Sequence, residues 1–129
     1  MHYAESADGV EWKPRGRAID YQFDGEVVSA PWVIKSRGKY LMWYSTRGHE
    51  SQAAKNYAIG FAESADGVIW IRHDDQVGIS PSVSGWDSEM ICYPTFYTHQ
   101  DKVYMVYSGN GVGRAGIGYA IAANFLERS

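Results

Sequence analysis

The stretch "IGFAESADGVIW", residues 59–70, decides the reading of this chain, because most of it is written more than once. Residues 3–12 read "YAESADGVEW", and a shorter copy, "IGYAIAANF", stands at 117–125 without the Asp-Gly pair or the Trp. Tyr3, Phe61 and Tyr119 thereby align at intervals of 58 residues. A fixed long period marks a repeated supersecondary unit, and it outranks other signals in choosing a fold. Two further pairs share an offset of 63 residues: "GKYLMWYS" (38–45) with "DKVYMVYS" (101–108), and "FDGEVVSAPWVI" (23–34) with "WDSEMICYPTFY" (86–97). The difference between the two offsets is absorbed where "TRGHESQAAKNYA" (46–58) gives way to the shorter "GNGVGRAG" (109–116).

Within each unit, apolar and aromatic runs of four to eight residues, bounded by Gly, Pro or Asp-Gly, read as strands. The pattern predicts strands at 27–35, 39–45, 57–64 and 69–72, then at 90–98, 102–108 and 117–122, with a pair at 3–5 and 10–12 at the start. No segment carries a 3.6-residue apolar period. Asp8-Gly9 and Asp66-Gly67 fall between a third and a fourth strand, where a turn needs positive φ. The repeated motif is therefore a hairpin corner, with Ser6, Ser64 or the two Asp side chains bonded to local backbone and Trp12 and Trp70 packed beneath.

Four short antiparallel strands per unit of 58 residues are the signature of a β-propeller blade, so the predicted fold class is all-β. The chain starts at a third strand (3–22), runs through one complete blade (23–72) and ends in an incomplete one (86–129). Propellers close with about 4–8 blades, and two blades cannot cover their own faces. The expectation is a ring closed by homo-oligomerisation, through a heterologous interface whose rotation closes. A trimer is favoured over a dimer, since a ring of four blades demands about 90° per blade. Residues 3–5 and 10–12 would then complete the blade begun by the preceding subunit.

Composition limits the partners. Of 129 residues 45% are apolar, 15% aromatic and 21% charged, a globular balance, and the 10 Tyr, 5 Trp and 14 Gly suit half-buried strands joined by tight turns. A net charge of −3 with interspersed signs provides no basic stripe for nucleic acid. No apolar run is long enough to span a bilayer as a helix. Glu5 and Asp8 stand where a secretory leader would be basic, so the chain reads as soluble and cytoplasmic, a removed leader being invisible to this reasoning. Cys92 is alone and reads as a buried thiol.

Taken together, "PWVIKSRGKYLMWYS", "IGFAESADGVIW" and "YPTFYTHQDKVYMVYSGNGVGRAGIGYA" resemble the blades of the five-bladed propeller glycosidases, the arabinanase, levansucrase and invertase superfamily, and most of all family 43-like proteins. The resemblance spans nearly the whole chain. It implies a carbohydrate-related function and carboxylates around a central funnel: a base or nucleophile, an acid, and an Asp that tunes the acid. Two of these commonly precede the Pro of an inner strand. Here Ala30 precedes Pro31 and Tyr93 precedes Pro94, and neither accepts a proton at neutral pH.

The remaining chemistry lies in a repeated aromatic-Asp-small-Glu signature, Phe23-Asp24-Gly25-Glu26 and Trp86-Asp87-Ser88-Glu89. Each leads into an inner strand and hence into the funnel. Glu26 and Glu89 are the candidate catalytic carboxylates, since paired acids can divide into acid and base when their surroundings differ. The bland reading is that they pair with an Arg or accept backbone N–H bonds to tie blades together. Asp24, Asp87, Trp86, Tyr93, Arg47, His49, Asn110 and Arg114 are candidate sugar contacts, combining aromatic faces with planar hydrogen-bonding groups. Trp86 could equally fill the gap between blades. "NGVGRAG" lacks the Lys-Ser/Thr of a phosphate loop, and His49-Glu50 and His73-Asp74-Asp75 lack a second ligand cluster, so no cofactor and no metal is expected. Three functions stay open: a sugar-binding module with weak or absent hydrolysis, a ring-forming protein without ligand, and a glycoside hydrolase working through Glu26 or Glu89.

Overall fold

The computed structural model describes residues 1–48, 56–123 and 125. Nine strands follow in chain order: β1 (His2–Glu5), β2 (Lys13–Arg17), β3 (Val27–Ser36), β4 (Lys39–Arg47), β5 (Ala58–Ser64), β6 (Ile71–Arg72), β7 (Cys92–His99), β8 (Lys102–Ser108) and β9 (Ile117–Ala122). They form three antiparallel sheets: a pair β1-β2, a four-stranded meander β3-β4-β5-β6, and a three-stranded meander β7-β8-β9. The fold is all-β and built of propeller-type blades, the first complete in its four strands.

Period-two alternation sorts the central sheet's two faces. Met42 and Tyr44 of β4, with Ala62 of β5, face Ile19, Met1 and Trp70, so the residues that flank the β1-β2 pair pack on one side. Trp43, Ile59 and Phe61 face the other way and meet Ile91, Met105 and Tyr107 of the third sheet. Trp43 lies at the centre of that interface, its ring 4.8 Å from Phe61 and 4.7 Å from Phe96. The repeated Gly of "IGF" has a steric cause. A Cβ on Gly60 would stand 2.3 Å from the Tyr44 ring, which crosses β5 there.

The Asp-Gly corner is as polar as its sequence suggests, and both side chains contribute. Ser64 Oγ accepts the Gly67 N–H at 2.8 Å while Asp66 Oδ1 accepts those of Val68 and Ile69 at 2.8 and 2.9 Å; Ser6 and Asp8 repeat the arrangement. These backbone bonds hold both carboxyls below the ordinary Asp value. Gly9 and Gly67 take φ of +76° and +80°, as the turn requires.

The same bonds shift the fourth strands. Pairing was expected at residues 10–12 and 69–72, but Asp8 and Asp66 hold the N–H groups of the residues that would open those strands. The ladder therefore begins at Lys13 and Ile71, past the corner. Trp70 is half-buried as expected; Trp12 is 60% exposed, because nothing in the described chain lies over it, and its indole N–H bonds only Gly9 O at 3.2 Å. The inner strand of the third sheet starts at Cys92 rather than residue 90, since Asn110 Oδ1 holds the Met90 N–H.

Two inner strands carry the same irregularity. The β3-β4 register shifts between Ser29 and Trp32, and the β7-β8 register between Cys92 and Thr95. Inside those bulges Ala30 and Tyr93, each preceding a Pro, take φ of +49° and +55°. Left-handed backbone is costly for residues other than Gly and persists where its surroundings over-determine it, often at sites of function. Tyr93 is pinned by its N–H to Ser45 Oγ at 2.8 Å, a bond that joins the two blades.

Candidate site at the mouth between the blades

The ends of β4 and β8 and the starts of β3, β5, β7 and β9 lie at one end of the sheets, fixed by antiparallel pairing such as Val27 with Arg47 and Ser108 with Ile117. Here the connections bearing the sequence candidates converge. A cavity of about 260 Å³ opens on the first blade, lined by Phe23, Glu26, Thr46, Arg47, Arg72 and Asp74 among others. That volume falls just below the range of roughly 300–1,000 Å³ usual for small-molecule pockets, so it suits one small group rather than an extended chain.

Glu26 is buried at the base of this cavity and every oxygen is occupied. Arg72 Nη1 and Nη2 donate to its two oxygens at 2.9 and 2.7 Å, Thr46 Oγ1 donates at 2.7 Å, and the Gln22 N–H at 2.7 Å. Arg72 also reaches Asp74 Oδ2 at 2.7 Å and Asp20 O at 3.0 Å. The Tyr44 hydroxyl closes the network on Asp74 Oδ1, and the Arg72 guanidinium lies 5.3 Å over the Tyr44 ring. Burial works to raise the Glu26 carboxyl, but the Arg72, Gln22 and Thr46 hydrogen bonds outweigh it and hold the group below its ordinary value. Tyr44 is pushed far up by burial and by Asp74, and stays a donor. A carboxylate so held is a poor proton carrier at neutral pH.

The repeat-equivalent Glu89 is exposed, and among the described residues no side-chain hydrogen bond or ion pair engages it. The buried acid of the third sheet is Asp87, which accepts the Tyr107 hydroxyl at 2.9 Å; burial and then Asp87 raise that phenol to about 12. Trp86 fills a slot cut by three glycines: a Cβ on Gly109, Gly116 or Gly118 would stand 2.5, 3.2 or 2.5 Å from its ring. Its other face stacks on Tyr107 at 5.4 Å. Asn110 is spent on backbone, accepting the Glu89 and Met90 N–H groups at 2.7 and 3.1 Å. Asp24 and Arg114 are exposed on the rim. His49 and Glu50 lie outside the described residues.

Tyr93 is brought together with two residues of the first blade. Its ring lies 5.6 Å from that of Tyr57, and the Arg47 guanidinium stands 5.0 Å over Tyr57. The hydrogen bond with Tyr57, and then partial burial, raise the Tyr93 phenol. Tyr57, Arg72 and Thr46 were not singled out from the sequence, and Asp74 was weighed there only as part of a cluster too isolated to bind a metal. Tyr57 carried one usable signal: it opens the third strand where the next unit has Ala115. Among the described residues no group of three or more His, Cys, Asp or Glu could hold a metal, and no helix is long and apolar enough to cross a membrane.

No known protein-family profile matches the chain. It is 38% identical over 126 residues to the uncharacterized protein Rv1502 of Mycobacterium tuberculosis (strain ATCC 25618 / H37Rv), and equally to the uncharacterized protein MT1551 of strain CDC 1551 / Oshkosh. The match takes in 96% of this chain but spans about 40% of the length of those relatives. Among solved structures, a glycoside hydrolase superimposes with a TM-score of 0.68 at 25% identity, over 92% of this chain and 34% of that one. Zg3597, a family 117 glycoside hydrolase from Zobellia galactanivorans, gives 0.72 at 21% identity, over 95% and 38% of the two chains. The Bombyx mori GH32 β-fructofuranosidase BmSUC1 gives 0.74 at 15%, over 97% and 26%. The last two likenesses concern the fold alone, and together with the first they show that the chain has a propeller-type architecture like that of glycoside hydrolases.

Proposed function

We propose that the mouth between the blades binds a sugar and that hydrolytic activity there is weak or absent. The observation that carries this reading is the chemistry of the two inner-strand bulges. They hold Ala30 and Tyr93 in strained backbone at the positions where the resembling glycosidases commonly place carboxylates. Glu26 and Asp87 are committed to internal bonds, and Glu89 is exposed with no side-chain hydrogen bond or ion pair among the described residues. What remains open is a pair of phenols with a guanidinium, groups that stack on and hydrogen-bond to a sugar. The repeat pattern supports placing the scaffold with the five-bladed, family 43-like glycosidases.

Calorimetric titration with pentoses, hexoses and their short oligomers tests this, beside an aryl-glycoside assay. The expected result is millimolar binding, weakened about tenfold in Tyr93→Ala, with no hydrolysis above the buffer rate. Hydrolysis that disappears in Glu89→Gln would contradict it.

One observation favours assembly as a second reading. Tyr97, Tyr104, Val106, Ile117, Tyr119 and Ile121 share one face of the third sheet, and Ile117 and Tyr119 are 69% and 62% exposed. Their equivalents in the central blade, including Trp43, Ile59 and Phe61, are covered by the next sheet. An uncovered face of this kind fits a ring of several copies, with a trimer as the proposed number. β1-β2 would then have to share a blade with a partner whose β9 already holds the third-strand place. Light scattering decides it: a mass of three chains supports the trimer and a monomer refutes it.

A further inference from the structure

The two repeats differ at many positions, and three of those differences converge in space. Arg47, Tyr57 and Tyr93 stand at repeat positions held in the other unit by Asn110, Ala115 and Ala30, and the fold brings these three unmatched side chains together. Asn110 caps backbone; Arg47 does nothing comparable. Its side chain is exposed and makes no ion pair among the described residues, whereas Arg15, Arg17 and Arg72 each hold a carboxylate. Four charged residues line the adjoining cavity: Glu26, Arg47, Arg72 and Asp74. Glu26 and Asp74 Oδ2 are held by Arg72, and Asp74 Oδ1 by the Tyr44 hydroxyl and the Phe61 N–H, which leaves Arg47 as the charged group in that wall to meet a ligand.

From this we infer that the sugar is an acidic one, carrying a carboxylate that Arg47 grips while the ring rests against Tyr57 and Tyr93. The inference rests on the carbohydrate reading of the mouth. A planar guanidinium offers two parallel N–H donors that fit a carboxylate, which a neutral hydroxyl cannot exploit. Stacking on Tyr57 restrains the fork before the ligand arrives, so less side-chain freedom is lost on binding. Tyr93, held by the Ser45 bond in its bulge and in ring contact with Tyr57, gives this corner a fixed position. Of the two phenolic hydroxyls in this corner one donates to the other, which leaves one O–H to donate to the second carboxylate oxygen or a ring hydroxyl.

The test is calorimetric titration of the whole chain with galacturonic acid and galactose, then glucuronic acid and glucose, at low and at physiological salt. The inference predicts at least a roughly tenfold preference for the uronic acid of each pair, reduced by salt. Arg47→Gln should weaken the uronic acid's binding far more than the neutral sugar's and so erase most of the preference, and Arg47→Lys should restore part of it. An unchanged urea midpoint for these variants shows that the exposed residue was not holding the fold. Equal affinity for both members of each pair, untouched by Arg47→Gln, would overturn the acidic-sugar inference and leave the carbohydrate reading standing. Binding of neither member would overturn both.

Discussion

The two units place a Glu at the same repeat position and use it in opposite ways. Glu26 is sealed beneath Arg72, Thr46 and the Gln22 N–H, while Glu89 stands in solvent. The cause lies in the neighbours. Thr46 and Arg72 belong to β4 and β6 of a four-stranded sheet; at the position of Thr46 the second unit has Gly109, which must be Gly because the Trp86 ring lies against it. Gly60 and Gly118 show the same exchange, since the first admits Tyr44 and the second Trp86. A buried ion network braces one blade and an aromatic plug braces the other. One conserved backbone plan is thus held together by unlike chemistry, and identical residue types at matched positions need not share a role.

Removing Arg72 should break the comparison most severely. Arg72→Met leaves Glu26 and Asp74 without their cation in a buried site, and the expected loss is about 3–5 kcal/mol in urea unfolding. No comparable loss should follow any single charge substitution around Glu89. Gly60→Ala comes next: its methyl collides with the Tyr44 ring, for about 1–3 kcal/mol. Gly118→Ala should cost a similar amount through Trp86, read as a change in tryptophan emission, which Gly60→Ala should not produce. Below these stands the pH response. Glu26 titrates lower in the folded chain than in the unfolded one, so its contribution is complete above the ordinary Glu value of 4.5 and is lost as pH falls through the folded value. The urea midpoint should therefore drop below about pH 4.5, less steeply in Glu26→Gln. The smallest effect is Glu89→Gln, expected within about 0.5 kcal/mol of the parent.

The fold was legible because repetition exposes strand order, and because the "ADG" corner marks its turns chemically. The corners were misjudged by two or three residues, since nothing in the letters says that Asp8 and Asp66 hold the first N–H groups of the next strand. The site was legible only in part. Tyr93 and Arg47 stood out as an aromatic and a cation on funnel-facing segments, but their meeting depends on Tyr57, marked only by its difference from Ala115, and on the Ser45 bond, which the repeat does not announce. Glu26 and Glu89 looked equivalent because sequence periodicity records position and is silent about burial. Trp86 looked like a sugar platform until three glycines, distant in sequence from it, turned out to enclose it.

The most direct measurement is a backbone-amide NMR titration of the whole chain with the sugar that binds it, comparing the two units position by position. The account predicts ligand-dependent shifts at Arg47, Tyr57 and Tyr93, with Ala30, Asn110 and Ala115 unmoved. Shifts of equal size at both sets, or shifts confined to Glu89 and Trp86, would contradict it.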